Sequence, residues 1–417
     1  MVFSAVVGVS CIGALTPNAH ASGFAVRDGE ADWMGNAFSG SEEKAYDSGT
    51  VWTNPAGMAL LNQSQASGNI SYIGPSARFN GYNTNPLTGS NVSGSNSNSL
   101  EAPAATAALF SVFTLSPKWR LGLSLTTPYG ARTSYPKNWV GKYQCLVTSI
   151  TAVDLNPDFS YKINKSLSVS FGPVLEYFNA RLTRALNIPY TNTNVDMHGN
   201  NIGFGYNLGV LYKINDKTRI GIDYHSRIRH DISGTERMIS SYPQLNSVTA
   251  ARTTITTPDS INVGVYHSIT PRLDVMGSIQ WTHWALFNSL HITPENGSQG
   301  STIQANWRNS WFLGGGMNYH VSNQLLLQTG FSFDESPVTS SNMNPRAPDA
   351  NQYILGIGAQ YKMTPRATVS LAYAHTFTSG GTVNSTAVNT PPAPSGILTG
   401  NYSISDNAVT AGVNVVF

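Results

Sequence analysis

Ile202-Gly203-Phe204-Gly205-Tyr206-Asn207-Leu208-Gly209-Val210-Leu211-Tyr212-Lys213-Ile214 carries an apolar or aromatic side chain at every even position and a small or polar one at most odd positions. Successive side chains of an extended chain point to opposite sides, so a period of two over this length reads as a β-strand with one greasy face. One such strand fits a soluble sheet equally well. The alternation recurs, however, in Leu121/Leu123/Leu125, Leu167/Val169/Phe171, Ile220/Ile222/Tyr224, Ile261/Val263/Val265, Leu273/Val275/Ile279/Trp281, Tyr353/Leu355/Ile357/Tyr361 and Val409/Val413/Val415/Phe417. Recurrence on this scale favours a transmembrane barrel.

Composition points the same way. Only 11% of the 417 residues are charged, against about 25% in an average soluble domain. No stretch beyond the N-terminus approaches the roughly 18 consecutive apolar residues that a spanning helix requires. A chain that crosses a bilayer must then cross with strands, closed on themselves so that each backbone polar group is paired. The formal charge of +2 offers no basic footprint for nucleic acid.

Connections between the strands set their number. Six are short and rich in turn formers: Ser116-Pro117-Lys118, Asn164-Lys165, Asn215-Asp216-Lys217, Thr270-Pro271-Arg272, Ser322-Asn323-Gln324 and Thr364-Pro365-Arg366. The intervals between them hold a strand up, a long loop and a strand down. With one strand near 66–80, a pair at each turn and one at 404–417, the expected fold is an all-β, fourteen-stranded antiparallel transmembrane barrel, and an even number closes it without free edges. Long loops are predicted near 81–101, 129–148, 185–199, 237–251, 293–301, 335–350 and 379–403. Short turns on one side and long loops on the other match the periplasmic and outer faces of a Gram-negative outer-membrane barrel.

The N-terminus divides in two. Residues 2–15 form an apolar run, followed by Thr16-Pro17-Asn18 and the small-x-small site Ala19-His20-Ala21, so 1–21 reads as a secretory signal cleaved before Ser22. No Lys or Arg precedes Arg27, and the start is expected upstream of Met1. Cys11 falls in the signal, with Gly8 where a lipoprotein signal would carry Leu, which leaves Cys145 without an internal disulfide partner. Residues 22–65 do not alternate, and they gather Asp28, Glu30, Asp32, Glu42, Glu43 and Asp47. They also carry Trp33, Met34, Phe38, Val51 and Trp52, which a flexible tail has little reason to hold. A hatch folded into the polar lumen of the 66–417 barrel is the expectation.

The quoted strands and this N-terminal segment together resemble a known family. Ser22-Gly23-Phe24, Gly35-Asn36-Ala37-Phe38-Ser39-Gly40 and the run from Ala45-Tyr46-Asp47 to Asn54-Pro55-Ala56 are similar to the hatch of the FadL-type long-chain fatty acid transporters. The likeness continues through Thr127-Pro128-Tyr129-Gly130, Trp139-Val140-Gly141-Lys142-Tyr143, Trp281-Thr282-His283-Trp284, Asn306-Trp307-Arg308 and Asp334-Glu335-Ser336-Pro337-Val338.

The resemblance implies a passive channel for hydrophobic compounds. Ligand is captured by an apolar groove among the outer loops, passes to an internal pocket, and leaves after the hatch shifts, through a gap made by a kink in the third strand. Residues 119–127 form that strand here, with Gly122 as the expected point of distortion. Arg184 and Arg308 match the family's carboxylate-binding positions, Leu182 and Phe24 its tail contacts, and Asn54, Pro55 and Ala56 its hatch motif. Extending the registers of Leu167/Val169/Phe171 and Trp311/Leu313/Met317 turns both arginines inward.

A fatty acid tail gains about 0.8 kcal/mol per methylene withdrawn from water, roughly 10 kcal/mol for a long chain. The guanidinium fork suits its carboxylate. An aromatic-hydrocarbon channel of the same family is the alternative, and a surface adhesin or receptor built on the barrel is a third reading. A monomer in contact with outer-membrane lipid and lipopolysaccharide is expected, with no cofactor. The nine histidines show no metal-ligand spacing, and His283 between Trp281 and Trp284 reads as part of an aromatic girdle. There is no G-x-S-x-G and no nucleophile-and-base set, so no enzyme activity is predicted.

Overall fold

A computed structural model describes residues 23–86, 88–101, 103–385 and 395–417. The predicted signal segment, and part of the last long loop, lie outside the described residues.

Fourteen antiparallel strands close a barrel. They are β1 (Gln65–Thr84), β2 (Ser97–Glu101 and Ala104–Thr114), β3 (Trp119–Ser134), β4 (Val147–Lys162), β5 (Leu167–Leu186), β6 (Thr193–Lys213) and β7 (Thr218–His225 and Ile228–Ser240). The circuit continues with β8 (Ser247–Thr257 and Ser260–Thr270), β9 (Leu273–Thr282 and Ser289–Pro294), β10 (Ser301–Gln304 and Ser310–His320), β11 (Leu325–Asp334), β12 (Gln352–Thr364), β13 (Ala367–Thr378 and Gly381–Ser385) and β14 (Ile397–Val416). The first and last strands pair from Gln65↔Val416 to Thr84↔Ile397, which seals the sheet.

All six predicted short turns fall between the strands they were expected to join. The outward face of β6 is the alternating row read from sequence, with Ile202, Phe204, Tyr206, Leu208, Val210 and Tyr212 exposed. Trp119, Tyr212, Tyr319 and Tyr361 stand outward close to the short turns, where a girdle at the membrane surface belongs.

The far ends of the strands depart from expectation. β1 runs on to Thr84, β3 to Ser134 and β5 to Leu186, into stretches predicted as loops. Above the membrane the outward face of a strand meets water instead of lipid, so pairing continues where the outward apolar row stops, while Ala131, Leu182 and Leu186 stay buried on the inner side.

Many inward side chains are polar, interspersed with apolar ones such as Ile73, Phe110 and Val112. Asn156, Asp158, Asn207, Asp223, Asn318 and Thr410 have no exposed surface. Residues 23–61 pack against these inward side chains. They form two four-residue helices, α1 (Ala31–Met34) and α2 (Thr50–Thr53), and a 3-10 turn at Pro55–Leu60. Gly356 provides the room for the end of α1 and Gly330 for the turn after it, since a Cβ at Gly356 would lie 2.3 Å from the Met34 carbonyl oxygen and one at Gly330 2.1 Å from that of Asn36. Asn36 donates to Asn318 Oδ1 (2.9 Å) and to the carbonyls of Met317 and Thr329 (both 3.1 Å).

Candidate functional site

Residues 54–56 are hydrogen-bonded to the barrel wall. Asn54 donates through Nδ2 to the carbonyls of Glu42 (2.8 Å) and Val210 (3.0 Å), while its Oδ1 accepts from Ala56 N (3.2 Å). Pro55 opens the 3-10 turn, a position where a missing N–H costs nothing. The Ala56 carbonyl accepts from Ser168 Oγ at 2.8 Å. Asn54 and Ala56 therefore tie the N-terminal segment to β6 and β5.

Upstream, that segment meets β3 at its distortion. Pairing with β4 shifts register between Thr126 and Tyr129, so Thr127 and Pro128 form a bulge. Proline has no N–H to give to the ladder. The Pro128 carbonyl instead accepts from Val26 N (2.7 Å), and Gly130 N donates to the Phe24 carbonyl (2.8 Å). Gly122, the expected point of distortion, keeps regular register opposite Asp158. Its missing side chain leaves space for Met58 and Val51, whose atoms would lie 2.6 and 2.9 Å from a Cβ.

Phe24 thereby reaches an aromatic cluster, with ring centroids 4.7 Å from Trp284, 5.6 Å from Trp307, 5.7 Å from Tyr129 and 5.8 Å from Phe287. Trp284 is fully buried there rather than placed in an outward girdle. His283 next to it approaches Asp259 Oδ1 at 3.1 Å.

From this cluster an apolar pocket extends between the barrel wall and the outer loops, lined by Phe24, Phe178, Leu182, Met197 and Ile255 among others. Arg346 also lines it, buried, on the loop between β11 and β12. A smaller cavity shares Met197, Ile303, Asn344 and Arg346 with the pocket and adds Arg184. Arg184 and Arg346 are near enough for their charges to repel, and Glu236 supplies the opposite sign beside Arg184.

Among the described residues no carboxylate pairs with Arg346, whose Nη1 donates only weakly to the Thr183 carbonyl at 3.5 Å. Burial pushes its pKa down, yet a guanidinium stays charged at neutral pH. An anion beside it would offset that desolvation, and the attraction is stronger where water is excluded.

The structure brings Phe24, Leu182 and Arg184 to one region and leaves Arg308 outside it. Arg308 is half exposed, with Nη2 3.1 Å from Glu335 Oε1 and 3.2 Å from the Ser336 carbonyl. Its inward orientation is a correction. β10 resumes only at Ser310, and Asn306 has a φ of 45°, so the alternation of Trp311/Leu313/Met317 does not extend back to residue 308. Arg346 was missed because loop residues have no period from which to read direction.

Asp349, three residues beyond Arg346, holds the start of the N-terminal segment. It accepts from Gly23 N (2.9 Å), Ser336 Oγ (2.8 Å) and Ala350 N (2.9 Å), and burial pushes its carboxyl up to about 7.

Residues 12–417 match the family model of outer membrane protein transport proteins (OMPP1/FadL/TodX). The chain is 26% identical to outer membrane protein P1 of Haemophilus influenzae, over 86% of each chain. It is 23% identical to the long-chain fatty acid transport protein of Escherichia coli K12, over 87% of this chain and 89% of that one. Its fold is similar to that of a Pseudomonas aeruginosa FadL homologue, with a TM-score of 0.88 and 22% identity over 95% of this chain and 100% of that one. It is also similar to the Pseudomonas putida toluene transporter TodX, with a TM-score of 0.72 and 15% identity over 94% and 99%.

Proposed function

The chain belongs to the outer membrane transport protein family (OMPP1/FadL/TodX), and from that premise we propose that the hydrophobic compound it carries is a long-chain fatty acid. One observation supports the reading: the buried Arg346 lines both an apolar pocket and the adjoining cavity that holds Arg184. An alkyl chain gains free energy along the apolar length, and a carboxylate supplies the anion that Arg346 lacks. A neutral hydrocarbon satisfies only the first condition. Four aromatic rings around Phe24 favour an aromatic ligand as the second reading.

In this proposal ligand enters among the outer loops and lies with its tail against Leu182 and Phe24. Movement of residues 23–26 away from the β3 bulge then releases it sideways. The Val26 and Gly130 hydrogen bonds that tie this stretch to β3 are few, and one strand's worth of motion breaks them.

Charge-assisted hydrogen bonds contribute about 1.5–3 kcal/mol, so Arg346→Ala and Arg184→Ala should each weaken oleate binding roughly 10- to 100-fold. Toluene binding should stay within about twofold, because no charge is involved. Arg308→Ala should leave oleate affinity unchanged. Calorimetry on the detergent-extracted protein reads all three, and equal oleate affinity in wild type and Arg346→Ala would remove the carboxylate from this site.

A further inference from the structure

The geometry points to a second lateral opening in the barrel wall, between β6 and β7, closed by His230 and Ile228, through which the apolar ligand exchanges with lipid. This rests on the reading of the protein as a carrier of apolar compounds, and it concerns a part of the wall remote in sequence from the β3 bulge.

Residues 193–200 of β6 pair with 233–240 of β7, and 207–213 pair with 219–225. Between these ladders no ladder pairing joins residues 201–206 to 226–232, and one main-chain hydrogen bond, from Ser226 N to the Tyr206 carbonyl, crosses at the lower edge. From Asn207 to Asn200 is seven steps and from His225 to Ser233 is eight, so the two ladders are also out of register by one residue. On either side the sheet stays in register. β5 pairs with β6 through the whole level, and β7 with β8 in one register apart from the shared break at 226–227 and 258–259.

The gap lies at a lipid-facing level, since Ile202, Phe204 and Tyr206 are outward and exposed. An unpaired strand edge facing hydrocarbon is costly. One main-chain and two side-chain hydrogen bonds meet part of that demand. Ser226 Oγ accepts from Tyr206 N (2.8 Å), Ser226 N donates to the Tyr206 carbonyl (2.9 Å), and Asn201 Nδ2 donates to the Asp231 carbonyl (3.0 Å).

What closes the gap is a pair of side chains seated against glycine. A Cβ on Gly203 would lie 2.5 Å from Ile228 and 2.6 Å from His230, and one on Gly205 would lie 2.6 Å from Ile228. His230 is held on both sides, with Nε2 2.7 Å from Glu176 Oε1 on β5 and Nδ1 3.3 Å from Asn201 Oδ1, and its ring stacks on Phe178 at 5.0 Å. Phe178 lines the apolar pocket. Ile228 and Glu176 line a second chamber that also touches Pro128 and Tyr129 at the β3 bulge. The latch thus stands where the ligand space meets the wall, and its swing exposes a path between two unpaired strand edges.

Pulsed electron paramagnetic resonance on full-length protein in bilayers tests this, with spin labels at Phe204→Cys and Arg229→Cys, both outward on the facing edges. Either latch variant, His230→Ala or Asn201→Ala, should add a population longer by about one strand spacing, roughly 5 Å. Oleate added to the wild-type pair should raise the same population. Single, unchanged distance distributions in both variants would overturn the opening. Opening in the variants without any effect of oleate would leave the gate standing and count against the fatty acid reading instead.

Discussion

Lys44 lies 2.8 Å from Asp32 Oδ2 with both side chains almost wholly enclosed, and it also donates to Asn36 Oδ1 and to the Asp32 carbonyl, each at 2.9 Å. Six acids, Asp32 among them, share the same segment, and Lys44 and Arg27 are its two basic residues. Removing one partner of a buried pair costs about 3–5 kcal/mol, because the other charge stays behind unpaired. The barrel does not depend on this pair, since its strands are held by their own ladders. Lys44→Met should therefore free residues 23–61 while sparing the rest, seen as proteinase K cleavage within that segment and an unchanged heat-modifiable band on a gel. Lys44→Met combined with Asp32→Asn should recover much of the protection, because no charge is left uncompensated. A segment as resistant in Lys44→Met as in wild type would show that the pair does not hold it.

A four-residue helix has almost no stability of its own, since nucleation fixes several dihedrals for one hydrogen bond. α1 and the turn after it exist because the wall leaves room for them at Gly356 and Gly330. Gly330→Val should push that turn out and expose the segment to protease, whereas Gly315→Val should be silent, because a Cβ there meets nothing nearer than 4.0 Å. Equal protease resistance in the two variants would sink this account of the docking.

The contrast also explains what the sequence made legible. Within the bilayer one face of each strand meets lipid and the other the lumen, so period two survives, and the short turns must carry Pro, Asn or Asp to reverse direction in a few residues. Those elements could be read. The strand extensions up to Ser134 and Leu186, the bulge at Pro128 and the break at Ser226 could not, because they depend on pairing with neighbours and leave no period in one strand. Arg184 followed its strand's alternation inward. Arg308 and Arg346 sit outside regular strands, where alternation carries no information, and only the folded loops separate the exposed one from the buried one.

A barrel with a polar lumen must either admit water or fill itself, and this one packs a segment rich in acids against its inward side chains. Their burial has a consequence for the whole molecule. Withdrawal from water raises the carboxyl of Asp28 to about 6, only partly offset by Arg27, and that of Asp47 to about 7, with Asp32 adding to the effect. Asp349, which holds Gly23, is likewise raised to about 7 by burial. Unfolded, each titrates near 3.8. Between these values the folded protein binds more protons than the unfolded chain, so stability falls as pH rises. Their contribution is fully present below about 4 and is lost as pH climbs through 6 to 7. The urea midpoint for unfolding should therefore decrease between pH 5 and pH 8. Asp349→Asn and Asp47→Asn, which keep a neutral side chain at every pH, should each flatten that slope. Denaturation curves across this range decide the matter, because a wild-type midpoint that stays level or climbs toward pH 8 is incompatible with acids kept protonated by the barrel around them.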